Sequence, residues 1–347
     1  MTTKNNLRFG VIGAGRIGKI HAENLATRIP GVEVAAIADV DLKSAQELAL
    51  RLHVPVAVDD YHAILSDPTI DAVAICSSTD THAKIIIEAA QAGKHIFCEK
   101  PIDYDLAKID AALEAVEKAG MKLQIGFNRR FDPNFRKVRA MVADGKIGEP
   151  QIIRITSRDP APPPISYVKV SGGMFLDMTI HDFDMARYLS GSEVLEVYTA
   201  AGVMVDPGIG EADDVDTAVI TLRFANGAIG TIDNCRKAVY GYDQRVEVFG
   251  SEGMMQAHNN TPDNDVYFNA DGVHSAKPLY FFLERYMDSF LAELKDLMQS
   301  IQENTTPPVV GMDGRIAVVI GLAAKKSYLE HRPVKISEIE NPVTEPT

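Results

Sequence analysis

The sequence predicts an α/β protein in two parts. Residues 1–127 read as a doubly wound parallel sheet, and residues 128–347 as an α+β domain with a large open, mostly antiparallel sheet. Three observations predict this. Short apolar runs alternate with helix-patterned stretches through the first third of the chain. A glycine-rich turn joins the first apolar run to the first helix pattern. After Phe127 that alternation gives way to segments with period-two patterning.

The apolar runs are Leu7–Ile12, Val32–Ala38, Ala72–Cys76, His95–Cys98 and Lys122–Ile125. Helix patterns lie between them at Ile17–Thr27, Leu42–Leu52, Thr81–Ala92 and Leu106–Lys118. Strand–helix–strand repeats of this kind need long crossovers, which are right-handed, so the strands run parallel. Beyond Phe127, candidate strands at Ile152–Thr156, Val194–Ala200 and Val246–Phe249 flank "VDTAVITLRFANGAIGTIDNC". That segment reads as a hairpin turning in two residues at Asn226-Gly227. A helix pattern over Gly172–Leu189 and an amphipathic run near Phe281–Gln302 are expected to cover one face of this second sheet. Asp159–Tyr167, "DPAPPPISY", is proline-rich and predicts a loop inside the second domain.

A net charge of −13 argues against nucleic acid or an anionic membrane as the main partner. The polar start passes straight into a strand pattern, so no leader peptide is expected, and no segment approaches the length of a membrane span. The three cysteines, Cys76, Cys98 and Cys235, form no C-x-x-C and suit reduced thiols in the cytoplasm.

Gly13-x-Gly15-x-x-Gly18 follows the first strand and opens the first helix. Such glycines allow a tight turn and let a pyrophosphate approach the backbone, with the helix N-terminus supplying free N–H groups. Asp39 closes the second apolar run at the spacing of a carboxylate that bonds the adenosine ribose hydroxyls. This is the pattern of a Rossmann dinucleotide-binding domain. Val40 and Asp41 follow Asp39 where a 2′-phosphate would want an arginine, so NAD is expected rather than NADP.

Glu99-Lys100-Pro101 follows another parallel strand, at the carboxyl edge where doubly wound sheets hold ligands. A lysine there can favour the deprotonated form of a substrate hydroxyl. Read as one helix, Gly172–Leu189 puts Asp177, His181 and Asp184 on one stripe, with Thr179, Asp182 and Ala186 opposite. A titratable stripe between hydrophobes suits proton transfer, and a structural Asp177–His181 pair is the other reading. Asp177, His181 and Asp184 at these spacings match no recurrent metal pattern, so no metal is expected. His21, His82 and His95 stand singly and read as structural, while Cys76 and Cys98 read as core thiols.

Together, GxGxxG with its downstream Asp39, the E-K-P triplet and "GGMFLDMTIHD" resemble the Gfo/Idh/MocA family of nicotinamide-dependent oxidoreductases. "GFNRRFDPNF" and "YGYDQRVEVFGSEG" resemble most its branch that oxidises inositols at one ring hydroxyl. The resemblance implies Lys100, Asp177 and His181 as the catalytic set, with His181 the general base. It implies NAD held by Gly13, Gly15, Arg16, Ile17, Gly18, Asp39, Ser77 and Lys100. Arg130 and Tyr240 would join Lys100, Asp177 and His181 in contacting the polyol. It also implies a homotetramer joined through the open face of the second sheet. A pyranose dehydrogenase is the alternative activity, and a ligand-sensing regulator of the same fold is the non-enzymatic one. The intact Lys100, Asp177 and His181 argue against the regulator, which needs no proton acceptor.

Overall fold

The structure is a computed structural model and describes residues 6–340. The chain divides into two compact units. The first holds the residues through Phe131 together with Asp288–Ile316, and the second holds Asp132–Met287 and the residues from Ala317 on.

In the first unit six strands form one sheet: β1 (Leu7–Ile12), β2 (Val32–Ala38), β3 (Val56–Val58), β4 (Ala72–Ile75), β5 (His95–Glu99) and β6 (Leu123–Gly126). Their order is β3-β2-β1-β4-β5-β6 and every pairing is parallel. The chain works outward from β1 through β2 to β3, then restarts at β4 on the other side of β1. The loops after β1 and β4 therefore part in opposite directions, which opens a crevice at the carboxyl ends of those strands. The connecting helices are α1 (Arg16–Glu23), α2 (Leu42–Leu52), α3 (His62–Ser66), α4 (Thr79–Gln91) and α5 (Leu106–Ala119). The strand β3 is absent from the apolar runs because its three residues are too few to make one.

One expectation needs correcting. The amphipathic run near Phe281–Gln302 contains α12 (Met287–Gln302), and its apolar stripe does not cover the second sheet. Leu294, Leu297 and Met298 pack in the first unit's core with Phe9, Val11, Leu25, Ile37 and Leu48. Periodicity states that a helix has a face to bury, but not which sheet buries it. Residues 288–316 are thus part of the body that binds the glycine-rich turn, although they follow the second sheet in sequence. The backbone seals this return: Gln124 Nε2 donates to the Glu293 carbonyl at 2.6 Å, and Ile125 N to the Val309 carbonyl at 3.1 Å.

The second unit opens with α6 (Pro133–Ala143), and its strands are β7 (Pro150–Arg158), β8 (Val194–Gly202), β9 (Thr217–Phe224), β10 (Ile229–Cys235), β11 (Asp243–Gly250), β12 (Met254–Ala257) and β15 (Val334–Lys335). They pair in the order β12-β11-β7-β10-β9-β8-β15, antiparallel except for β7 with β10. A separate exposed hairpin is made by β13 (Val266–Asn269) and β14 (Gly272–Ser275). One face of the large sheet buries Ile153, Ile155, Ile220, Leu222 and Ile232. On the other face Tyr198, Val219, Ile229, Phe249 and Met254 are exposed.

The β9–β10 hairpin also departs from expectation. Phe224 N bonds the Ala228 carbonyl, so residues 225–227 form a three-residue loop rather than a two-residue turn. Gly227 takes a positive φ of 88°, but the side chain of Asn226 accepts from Ala228 N instead of its backbone turning left-handed. This is the geometry of a type I turn closed by a glycine bulge.

Candidate active site

At the crevice of the first unit the glycines are required by close approach. A Cβ on Gly13, whose φ is +106°, would come within 2.5 Å of the Cys76 carbonyl oxygen and 2.7 Å of Ser77 N. One on Gly18 would stand 1.9 Å from the Gly13 carbonyl oxygen. The loop after β1, the end of β4 and α1 can meet this tightly only without side chains. A Cβ on Gly15, by contrast, would meet nothing within 4 Å.

The start of α1 is also chemically open. Its N-cap is Gly15, with no side-chain cap and no acidic residue in the first turn. The helices α2, α5 and α6 are different, because Asp41, Asp105 and Asp132 accept their first amides. A helix start without a side-chain cap or a first-turn acid suits an anion. Asp39 stands beside this one: its Oδ2 accepts from Ala14 N at 2.6 Å and its Oδ1 from Asp41 N at 2.9 Å. Arg16 is exposed at the helix start, and Ile17 packs against the core. Ser77, half-buried after β4, shares a 2.7 Å hydroxyl contact with Thr81. An uncapped helix start behind a side-chain-free turn, edged by a carboxylate, fits a dinucleotide. The pyrophosphate would lie over Gly13–Gly15 and the ribose against Asp39.

Lys100 follows β5, is partly buried, and is joined to Pro101 by a cis peptide. Behind it lies a cluster that the sequence did not announce. His21 Nε2 is 2.7 Å from Glu99 Oε1 and 3.9 Å from Glu293 Oε1. His21 is thus no solitary histidine. Glu293 is fully buried, and neither carboxyl oxygen has a hydrogen-bond partner among the described residues. Burial first, then the charge of Glu99, pushes Glu293 well above the ordinary carboxylate range. The same two causes, in that order, push the Cys76 and Cys98 thiols up, so both are inert core residues.

In the second unit the stretch expected as one helix is two. The helix α8 (Met174–Asp177) ends at Asp177, and α9 (Ile180–Ser190) begins after a break at Met178 and Thr179. Met178 and Thr179 keep right-handed backbone angles through the break; Asp184 is buried, while Asp177 and His181 are half-buried. The face carrying Thr179, Asp182 and Ala186 packs inward. Thr179 Oγ1 donates to Asn234 Oδ1 at 2.7 Å, and Asn234 Nδ2 donates to Asp182 Oδ2 at 2.9 Å.

Asp177 is held on both carboxylate oxygens. The Tyr167 hydroxyl donates to Oδ1 at 2.8 Å and Arg236 Nη2 to Oδ2 at 3.1 Å. Arg236 also reaches Asp159 Oδ2 at 3.5 Å and is buried. Burial alone would loosen the guanidinium proton, but Asp177 and Asp159 more than offset that and its pKa rises. Arg236 and Tyr167 were missed by the sequence reading. Asp159 and Tyr167 bound the proline-rich loop, so both ends of that loop are tied to this site.

The two further expected substrate contacts, Arg130 and Tyr240, each have partners of their own. Arg130, in a 3₁₀ turn over Asn128–Phe131, bonds Asp313 Oδ1 at 3.0 Å within the first unit. The Tyr240 hydroxyl donates to Asp243 Oδ2 at 2.6 Å and accepts from Arg158 Nη1 at 3.1 Å. Arg158 also pairs with Asp233. Because Asn234 points toward α9, its neighbour Asp233 points to the opposite, open face of the sheet. The structure therefore groups Tyr240 with that open-face network, and groups Tyr167 and Arg236 with Asp177.

Comparison with known proteins gives a consistent result. A family profile described as "Oxidoreductase family, NAD-binding Rossmann fold" matches residues 7–127, and the "GFO/IDH/MocA C-terminal domain" profile matches residues 135–256. The chain is 53% identical to myo-inositol 2-dehydrogenase of Thermotoga maritima, over 96% of this chain and 99% of that one. It is 44% identical to inositol 2-dehydrogenase of Rhizobium meliloti, over 95% and 99%. Among solved structures it resembles scyllo-inositol dehydrogenase of Lactobacillus casei with bound NAD(H) and scyllo-inositol. That likeness has a TM-score of 0.89 and 30% identity, covering 96% of this chain and 99% of the other.

Proposed function

The chain belongs to the Gfo/Idh/MocA family of NAD-dependent oxidoreductases, and on that premise we propose that it oxidises one ring hydroxyl of an inositol to the inosose. The observation that carries this reading is the near-full-length 53% identity to a protein named myo-inositol 2-dehydrogenase. NAD, when bound, supplies the nicotinamide carbon that accepts the hydride. The chain's own residues handle the proton and the charge. The hydroxyl proton passes to neutral His181 as the hydride leaves the same carbon, and the C–O bond becomes a carbonyl. The ammonium of Lys100 favours the developing alkoxide, and Asp177, held by Arg236 and Tyr167, orients the imidazole or a neighbouring hydroxyl. Gly13, Gly15, Gly18 and Asp39 hold the dinucleotide, with Arg16, Ile17 and Ser77 beside them.

We further infer a homotetramer built on the second sheet's open face, where Tyr198, Val219, Ile229, Phe249 and Met254 leave an apolar surface exposed. The three thiols suit a reducing, cytoplasmic setting. Among the described residues no helix is long and apolar enough to cross a membrane.

The test is NADH absorbance with a panel of myo-, scyllo- and D-chiro-inositol and glucose, each with NAD and with NADP. Turnover of an inositol with NAD is expected. A higher kcat/KM on glucose would favour the pyranose reading, and NAD binding without turnover of any polyol would favour the regulator.

A further inference from the structure

We propose that His82 is a positioning residue for this reaction, strapping the turn after β4, on which the dinucleotide rests, to the turn after β5, which presents Lys100. The proposal rests on Lys100 acting on the substrate hydroxyl. His82 lies on α4 and is 1% exposed. Its Nδ1 is 2.8 Å from the Pro101 carbonyl oxygen and its Nε2 is 3.0 Å from the Ser77 carbonyl oxygen. A carbonyl oxygen only accepts, so the ring nitrogen that carries the proton is the donor, and the ring bridges the two turns.

The position of the strap gives it leverage. The ladder between β4 and β5 ends at the Ile75–Cys98 pair, and both Ser77 and Pro101 lie beyond it. On one side, Ser77 belongs to the wall against which Gly13 closes, since a Cβ on Gly13 would meet Ser77 N at 2.7 Å. On the other side, Pro101 is the residue next to Lys100. A shift of either carbonyl would move the glycine turn or the lysine, and displacements near 1 Å are enough to cost roughly 10²-fold in rate. A histidine that merely satisfied two buried carbonyls would affect folding alone.

Three variants separate these roles, because the asparagine amide nitrogen stands near the place of Nδ1 and the glutamine amide nitrogen near that of Nε2. His82→Leu keeps neither arm, His82→Asn keeps the Pro101 arm, and His82→Gln keeps the Ser77 arm. On the full-length enzyme, kcat with myo-inositol is read from NADH absorbance, NAD affinity from calorimetry, and Tm from melting. His82→Leu is expected to lower kcat roughly 10–100-fold and to weaken NAD binding. His82→Asn should recover most of kcat but not NAD affinity, and His82→Gln should recover NAD affinity but not kcat. Changes in Tm with kcat and NAD affinity unmoved in all three would overturn the proposal. If His82→Leu does not fold, the other two variants carry the test. If the wild type oxidises no polyol, the inositol reading fails, while NAD affinity across the three variants still decides whether the strap exists.

Discussion

Each unit gathers carboxylates around a basic nitrogen, and the two resolve the charge in opposite ways. In the first, Glu99 and Glu293 share the His21 imidazole in a dry interior, where burial and then the charge of Glu99 push Glu293 toward its protonated form. In the second, Asp177 and Asp159 share the Arg236 guanidinium, a cation that cannot give up its proton. The difference teaches how each cluster is used. A cluster that ties α1, β5 and α12 together has no task for a net charge, and an acid that can stay neutral suits it. A cluster that, on the proposed reaction, presents an oriented carboxylate to a polyol is suited by a permanent counter-ion.

The widest break in this comparison comes from His181, beside Asp177. His181→Ala is expected to cut kcat by roughly 10²–10⁴, the usual worth of general acid–base catalysis. Alcohol oxidation needs the neutral imidazole, so wild-type kcat/KM should rise with pH through one ionisation that the variant lacks. NAD affinity, measured by calorimetry, should not move. A folded variant with normal turnover and an unchanged pH profile would make the second cluster as structural as the first.

Arg236→Met comes next. It leaves Asp177 and Asp159 without their cation and should destabilise the protein by about 3–5 kcal/mol, as breaking a buried ion pair does. Adding Asp159→Asn should recover part of the lost Tm, because one of the two stranded charges is gone. If Arg236→Met melts like wild type, the claim that arginine charges this cluster is wrong.

Asp39 sharpens the contrast with a third kind of carboxylate, one that bonds backbone amides instead of a base. Replacing Asp39 by alanine and Val40 by arginine should move preference toward NADP by about 1–3 kcal/mol in relative kcat/KM. An unmoved ratio would place Asp39 away from the ribose.

Much of the first unit was legible in sequence because parallel strands are buried on both faces and read as unbroken apolar runs. The glycine turn and Asp39 were legible for a similar reason, since a close approach admits few residue types. What stayed hidden depended on distant partners. The apolar stripe of α12 could have faced either sheet, and only Leu294, Leu297 and Met298 beside Phe9 decide it. The break between α8 and α9 carries no proline or glycine to mark it. Arg236 follows a strand beside Lys237, and nothing local links it to Asp177, 59 positions earlier. Histidines were the hardest to read. Both His21 and His82 stand alone in sequence, yet their partners, Glu99 and Pro101, flank Lys100.

The smallest effect bears most directly on the contrast between the clusters. Glu293 has a pKa raised above its ordinary value of 4.5, so above that pH the folded chain holds more of this proton than the unfolded chain does. The stability that Glu293 contributes is therefore complete below about pH 4.5 and is lost as pH climbs toward the folded value. Glu293→Gln keeps the shape of the protonated acid and cannot ionise. Its Tm should match wild type near pH 4.5 and gain on it as pH rises, by at most about 1.4 kcal/mol per pH unit. Infrared spectra followed with pH should show in wild type a carboxyl that ionises at higher pH than an exposed glutamate, and that the variant lacks. Asp177→Asn should behave in the opposite sense, losing stability at neutral pH because Arg236 is left under-compensated. Should Glu293→Gln lose the same stability at every pH, with no such carboxyl in the wild-type spectra, Glu293 is a buried anion and the contrast between the clusters collapses.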